Sequence, residues 1–234
     1  MKRKDAELRS SGRTNSEDSQ EKIRAIVSIA LALGTFFAGL LCAAAAQPAP
    51  AGAVACYFVG RGFLNSGGQG EVVGYFTDIT GIAGSLFNSA PGEDTAFFTF
   101  RSDVVQFTPL STNGDIGLNL VSPGTFDIYF NPMPMGDWSN PDTFSSGQLV
   151  AHFERPESLL LQIPTYSRAV LTGTLVSSRR FSFNGHEYDF RAIVPVGVTF
   201  DESFSNTGVP GVTNFPVGLA FAGDCLAVAS TGHD

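Results

Sequence analysis

From about residue 55 onward, every second position tends to be apolar. Short runs of aromatic and β-branched residues alternate with polar ones, and glycine, proline or asparagine interrupts them every eight to twelve residues. A repeat of two is that of a half-buried strand, and no segment keeps an apolar repeat at helical spacing for more than about two turns. The pattern predicts strands over 55–64, 71–79, 85–87, 95–101, 104–109, 116–121, 124–130, 148–155, 158–163, 169–177, 179–184, 186–194, 197–204 and 217–229. The expected fold class is therefore all-β, a single antiparallel β-barrel or β-sandwich domain over residues 55–229, with a short tail over 230–234.

The turns carry their own chemistry. "NSGGQG", "SAPGED" and "STNGD" each place glycine where φ must turn positive, beside an acid or asparagine able to hydrogen-bond the turn backbone. In "RRFSFNGHEYDF", Asn184-Gly185 is a two-residue type I′ hairpin signal, because both central positions need positive φ. The register that follows sets Phe183 against His186, Phe181 against Tyr188 and Arg180 against Asp189. Phe181, Phe183, Tyr188 and Phe190 then share one buried face.

One connection is much longer than the others. "FNPMPMGDWSNPDTFSSG", residues 130–147, holds the only tryptophan of the chain, two of its three methionines and three of its thirteen prolines. Connections of such length are often functional. Trp138, Met133, Met135, Asp137 and Asp142 are the candidate ligand-binding residues. The expected arrangement folds Met133, Met135 and Trp138 down as a lid over one end of the β structure.

The first fifty residues change the setting. Residues 1–24 are charged and polar and have no means of packing a core, whereas residues 25–41 form seventeen consecutive uncharged positions. A run of small residues, "CAAAAQPAPAGAVA", comes next. A basic flank, an apolar stretch and an Ala-x-Ala site in that order make a secretory signal, with cleavage expected after Ala46. The alternative is a membrane anchor over 26–46, long enough to cross a hydrocarbon core. Residues 47–54 then act as a linker. Either way the β domain is expected outside the cytoplasm, secreted or periplasmic, with the membrane involved only through the N-terminal segment.

Without residues 1–46 the chain has seven arginines, no lysine and seventeen carboxylates, a net of −10. That surface repels phosphate backbones, so no nucleic-acid partner is expected. Two cysteines remain, Cys56 and Cys225, and in an oxidising compartment such a pair reads as a disulfide. It implies that the first and last strands lie side by side.

Catalytic constellations are poorly supported. No G-x-S-x-G elbow occurs, and "GRGFLNSGGQG" lacks the lysine and following helix of a phosphate loop. His152 and Glu154, two apart on one strand, suit two metal ligands, but the strand "QLVAHFER" points them toward solvent. Asp137, Ser139, Asn140 and Asp142 offer oxygens for calcium without the order of a calcium loop. No cofactor is expected, and the metal assignment stays open.

Nineteen phenylalanines beyond residue 46 exceed what a small core requires. The leading expectation is a non-catalytic module that binds an apolar or carbohydrate ligand. The alternatives are a structural or surface-interaction protein and a barrel-type isomerase or hydrolase. Barrels of the lipocalin, dirigent and allene oxide cyclase kinds are analogies for a one-domain, Phe-rich strand pattern. The chain carries no motif specific to any of them, and a fold analogy does not choose a function.

Overall fold

The computed structural model describes residues 48–229. The strands are β1 Val54–Leu64, β2 Gln69–Ile79, β3 Phe98–Ser102, β4 Val105–Asn113, β5 Ile116–Val121, β6 Gly124–Phe130, β7 Gln148–Arg155, β8 Ser158–Gln162, β9 Tyr166–Ser178, β10 Phe181–Phe183, β11 His186–Tyr188, β12 Gly197–Val212 and β13 Phe215–Ala227. One short helix, α1 Phe190–Ile193, follows β11. The expected signal or anchor segment lies outside the described residues. Among the described residues no helix is long and apolar enough to cross a membrane.

Every ladder is antiparallel, and the sheet closes on itself through pairing of β1 with both β2 and β13. The fold is thus a barrel, not a sandwich. Its topology simplifies once β3 and β4, β5 and β6, and β7 and β8 are each taken as one long strand with a break. The wall is then an eight-stranded up-and-down meander in which each strand pairs with its neighbours in sequence. The breaks fall at Asp103-Val104, Ser122-Pro123 and Pro156-Glu157, between the paired segments. Pro123 and Pro156 have no N–H to give a ladder, which is why pairing stops there.

The breaks divide the wall into two tiers. In the upper one β2 pairs with β3, β3 with β6, β6 with β7, and β7 with the end of β9. In the lower one β2 pairs with β4, β4 with β5, β5 with β8, and β8 with the start of β9. β1, β2, β9, β12 and β13 run through both.

The upper tier is filled with phenylalanine. The Phe58 ring meets those of Phe76, Phe100, Phe200 and Phe221 at centroid distances of 5.6–6.3 Å, all edge to face. Burying each such ring stabilises by about 1.5–3 kcal/mol, and edge-to-face pairs add roughly 0.5–1.5 kcal/mol. An eight-stranded barrel is just wide enough for its side chains, so large rings require small partners. Gly60 and Gly74 sit directly opposite each other and supply that space. A Cβ at Gly74 would lie 2.4 Å from the Phe100 ring and 2.2 Å from the Val59 carbonyl oxygen. Gly74→Ala is therefore expected to destabilise by about 1–3 kcal/mol through overpacking, read as a lowered midpoint in urea denaturation. An unchanged midpoint would mean that both the Phe100 ring and the β1 backbone at Val59 shift without cost.

The upper end is closed by the hairpin β10–β11 and α1. Phe181 pairs with Tyr188 and Phe183 with His186, and Asn184 and Gly185 take φ of 50° and 79°, so the type I′ turn forms in the expected register. Phe181, Phe183, Tyr188 and Phe190 are all buried. Two expectations fail here. Residues 189–194 do not continue the strand, because Asp189 caps α1 by accepting from the Arg191 N–H at 2.8 Å. For the same reason Asp189 does not face Arg180; it accepts instead from the Ser178 hydroxyl.

At the lower end the turns are tight except that β12 and β13 run past the barrel as a two-stranded ribbon. Residues 205–216, expected as a connection, are paired out to Val212 and Phe215. Residues 85–87, expected as a strand, make only a single bridge, Phe87 to Ala96.

Cys56 and Cys225 are directly opposed in the β1–β13 ladder, with Cα atoms 5.2 Å apart and the sulfurs bonded. The first and last strands are neighbours, as the pairing requires. Such a disulfide is compatible with an extracytoplasmic location.

Candidate functional site

The long loop lies on the outer wall, not over an end of the barrel. Its 3₁₀ turn, Pro141–Ser145, buries Pro141 and Phe144 against the outward faces of β1 and β2, where Phe63 and Val73 are also buried. The Phe144 carbonyl accepts from the Thr99 hydroxyl at 2.6 Å. Trp138 is half-buried against Phe144 and Tyr75, and the Arg61 guanidinium stacks on it at 4.8 Å. Val212 and Phe215 from the tip of the β12–β13 ribbon complete this cluster.

The lid does not form. Met133 and Met135 are 77% and 54% exposed and reach neither the interior nor Trp138's cluster. Proline on both sides of Met133 and the Asn131 side chain, which accepts from the Met133 N–H, hold this stretch away from the wall. The two acids serve the loop itself. Asp137 accepts from the Ser139 N–H and hydroxyl, which holds its carboxyl below the usual range. Asp142 accepts from Arg101 at 2.6 Å, and Arg101 also grips Glu71 at 2.9 Å, so Arg101 fastens the loop to β2.

His152 does not pair with Glu154. Its Nδ1 lies 2.5 Å from Asp127 Oδ1, its cross-strand partner on β6, while Ala151 and Phe153 point inward. Among the described residues no group of three or more metal-ligating side chains comes together.

The interior of the lower tier is different. Here the barrel is open to solvent, and a pocket of about 140 Å³ is lined by Gly62, Phe107, Leu160, Ser167, Phe204 and Leu219. Deeper, toward the phenylalanine core, lies a compartment of about 50 Å³. Val72, Phe107, Leu160 and Phe204 line both, so one leads into the other. The deeper one also contains Ser102, Arg155 and Glu202.

Two of these are charged residues in apolar places. In β12, Val198, Phe200, Glu202 and Phe204 fall on the inward phase, and Glu202 is only 5% exposed. Its ladder neighbours are Gly223 on one side and Ala169 on the other, which leaves space around the carboxyl. In β7, Ala151 and Phe153 lead to Arg155, 7% exposed, at the break before β8. Its neighbour across the ladder is Gly124, where a Cβ would lie 3.1 Å from Arg155 Nη2 and 2.5 Å from Asp103 Oδ1. Glycine at 124 makes room for the guanidinium.

Neither charge is directly paired. Among the described residues Arg155 makes one side-chain bond, to the Ser158 hydroxyl at 3.3 Å, and no carboxylate oxygen lies within 4.0 Å of it. Among the described residues Glu202 makes no side-chain hydrogen bond, and because no fully buried side-chain oxygen lacks a partner, its carboxyl oxygens reach the compartment. Burial pushes the Glu202 carboxyl up to about 7, against the pull of Arg155. Burial also lowers Arg155, which Glu202 and Asp103 counteract.

The two serines nearby are engaged elsewhere. Ser102 donates to the Asp103 carbonyl and accepts from the Val72 N–H. Ser167 donates to Asn206. Neither is placed as a nucleophile beside a base.

The sequence carried a signal for this pair. Glu202 stands in "VTFDESF" and Arg155 in "AHFER", each at the apolar phase of its strand. A charge that interrupts an apolar phase marks an inward position in a barrel. Comparison with family models, with curated proteins and with solved structures finds no match to this chain.

Proposed function

We propose that this protein is an exported, non-catalytic barrel that binds a small, mostly apolar molecule in the open lower end of its interior. The observation that carries the reading is the solvent-open pocket between Phe107, Leu160, Phe204 and Leu219, which leads inward to a smaller, mostly apolar compartment holding Ser102, Arg155 and Glu202. Pockets of this make, apolar walls with a few convergent polar groups, are the usual form of ligand sites. The apolar lining favours an aliphatic or aromatic ligand over a carbohydrate, whose many hydroxyls would lose hydrogen bonds to water on entry. Export is supported by the Cys56–Cys225 pair and by the signal pattern of the first 46 residues.

Titration with the neutral probe 1-aminoanthracene is expected to give a saturable rise in its fluorescence. Leu219→Trp, which fills the vestibule, is expected to weaken that binding by about tenfold or more, the loss of roughly 1.4 kcal/mol. Undiminished binding by the variant would place the probe elsewhere and count against the reading.

A second reading, a barrel-type isomerase or hydrolase, is favoured by one observation, the burial of Glu202 and Arg155 in one compartment. Ser102 and Ser167 are engaged elsewhere, and the open apolar pocket is the observation that places binding first.

A further inference from the structure

The deep compartment presents an unusual demand. A cation and a carboxyl, each more than nine-tenths buried, open into the same space without meeting each other or any other charged group within contact distance. A guanidinium has five N–H donors, and Arg155 uses one, in a long bond to Ser158. No fully buried side-chain nitrogen or oxygen among the described residues lacks a partner, so the free groups of Arg155 and Glu202 reach the compartment, and a ligand that displaces water there must bring acceptors for Arg155 and also satisfy Glu202.

An alcohol does this badly. Its hydroxyl can donate to an ionised Glu202 but offers the guanidinium only one oxygen. A carboxylate does it well, because two oxygens accept from Arg155 while a protonated Glu202 donates to one of them. The compartment then closes with one cation, one anion and one neutral acid. Its volume of about 50 Å³ takes a head group of that size, and the adjoining apolar vestibule takes a tail.

We propose that the compartment is a carboxylate receptor, so that the ligand of this barrel is a slender aliphatic monocarboxylic acid bound head-first, with Arg155 as its charge partner and Glu202 as its hydrogen-bond donor. The proposal rests on the apolar-binding reading above and names its ligand class. It also requires Glu202 to hold a proton in the complex. An anion arriving beside it favours the protonated form further, so binding takes up a proton from solution when Glu202 starts ionised. The other charged groups near Glu202 do not share its compartment. Asp201, Arg168 and Asp224 lie on the outer face, where Arg168 and Asp201 pair with each other at 2.5 Å. Asp103 lies at the break between the tiers and accepts from the Thr125 N–H.

Isothermal titration calorimetry on the full chain separates the outcomes, with octanoate and 1-octanol as probes at pH 6 and pH 8. Octanoate is expected to bind about tenfold or more tighter than octanol at pH 6, the worth of one charge-assisted bond. At pH 8 this preference is expected to shrink. Buffers of different ionisation enthalpy should reveal the uptake of up to one proton. Arg155→Gln should abolish the preference, and a far-ultraviolet circular dichroism spectrum like that of the wild type shows that the variant folds. Glu202→Gln, whose amide still donates, should keep octanoate binding but lose both the pH dependence and the proton uptake.

If octanol binds as tightly as octanoate, the ligand class is wrong and the apolar pocket stands. If neither probe binds, the underlying reading fails. A pH dependence that persists in Glu202→Gln would assign the proton to another group and overturn the role given to Glu202.

Discussion

Replacing both cysteines, Cys56→Ser together with Cys225→Ser, is expected to lower the free energy of unfolding by up to about 5 kcal/mol. The loop that the disulfide closes spans 169 residues, nearly the whole barrel. A cross-link of that span removes on the order of 5 kcal/mol of chain entropy from the unfolded state, and native-state relaxation reduces the observed figure. The variant should still fold at low denaturant, because the β1–β13 ladder continues from Cys56 to Leu64 without the sulfurs. Urea denaturation of wild type and double variant, under oxidising conditions and again with a reductant, measures the difference. Wild type with reductant should match the double variant; coincident curves for wild type and variant under oxidising conditions would show that the bond contributes nothing.

The second large effect is a dependence on pH that comes from Glu202. Its carboxyl is raised from the ordinary value of 4.5 to about 7 by burial in the folded barrel. Between those values the folded state holds a proton that the unfolded chain has released. Stability is therefore full below pH 4.5, falls as pH rises to 7, and stays level above. The loss across the window is roughly 3 kcal/mol, about 1.4 for each tenfold shift in proton affinity. Glu202→Gln should flatten this slope and be the more stable form at pH 8. Asp201 does not obscure the result, because its carboxyl is lowered by Arg168 and so costs stability only as pH falls below the ordinary 3.8. Equilibrium unfolding at half-unit steps from pH 4.5 to 8 tests both forms. The same slope in Glu202→Gln would place the titrating group elsewhere.

The legible parts of this fold are those that local chemistry decides. Asn184-Gly185 admits one turn type and with it the register of β10 and β11. The strands 116–121, 124–130 and 148–155 end where proline, glycine or a long polar loop leaves no alternative. The cysteine pair set the first strand beside the last. Where tertiary contacts override local preference, the pattern misleads. Residues 205–216 contain two prolines and two asparagine–threonine pairs of turn character, Asn206-Thr207 and Thr213-Asn214, yet they pair as a ribbon because Val212 and Phe215 find Phe63 and Trp138 beside the barrel. Residues 189–194 look extended by composition, and Asp189 turns them into a helix because its side chain reaches the Arg191 N–H.

The long loop and the interior pocket differ in how much of each the chain pattern carries. Rare residues cluster in the 130–147 loop, and rarity drew attention to Trp138, Met133, Met135, Asp137 and Asp142. The loop's burial is on the outer wall, where Trp138 and Phe144 protect Val73 and Arg101 ties Asp142 to Glu71. The interior polar pair is made of common residues from strands far apart in the chain. Only closure of the barrel brings Glu202 and Arg155 into one space. The phase of the two strands was available, but it acquires meaning only when both faces are assigned.

The breaks at Asp103-Val104, Ser122-Pro123 and Pro156-Glu157 separate a filled half of the interior from an open one. Above the breaks the interior is filled by rings, and below them residues 105–121 and 158–162 supply part of an open wall that Phe204 and Leu219 complete. The lower stretch can therefore lengthen, shorten or exchange side chains as a cassette, with the hinge prolines insulating the phenylalanine stack from the change. A scaffold divided in this way can vary the wall of its open end within two separate short stretches, 105–121 and 158–162, and leave the ring-filled end untouched.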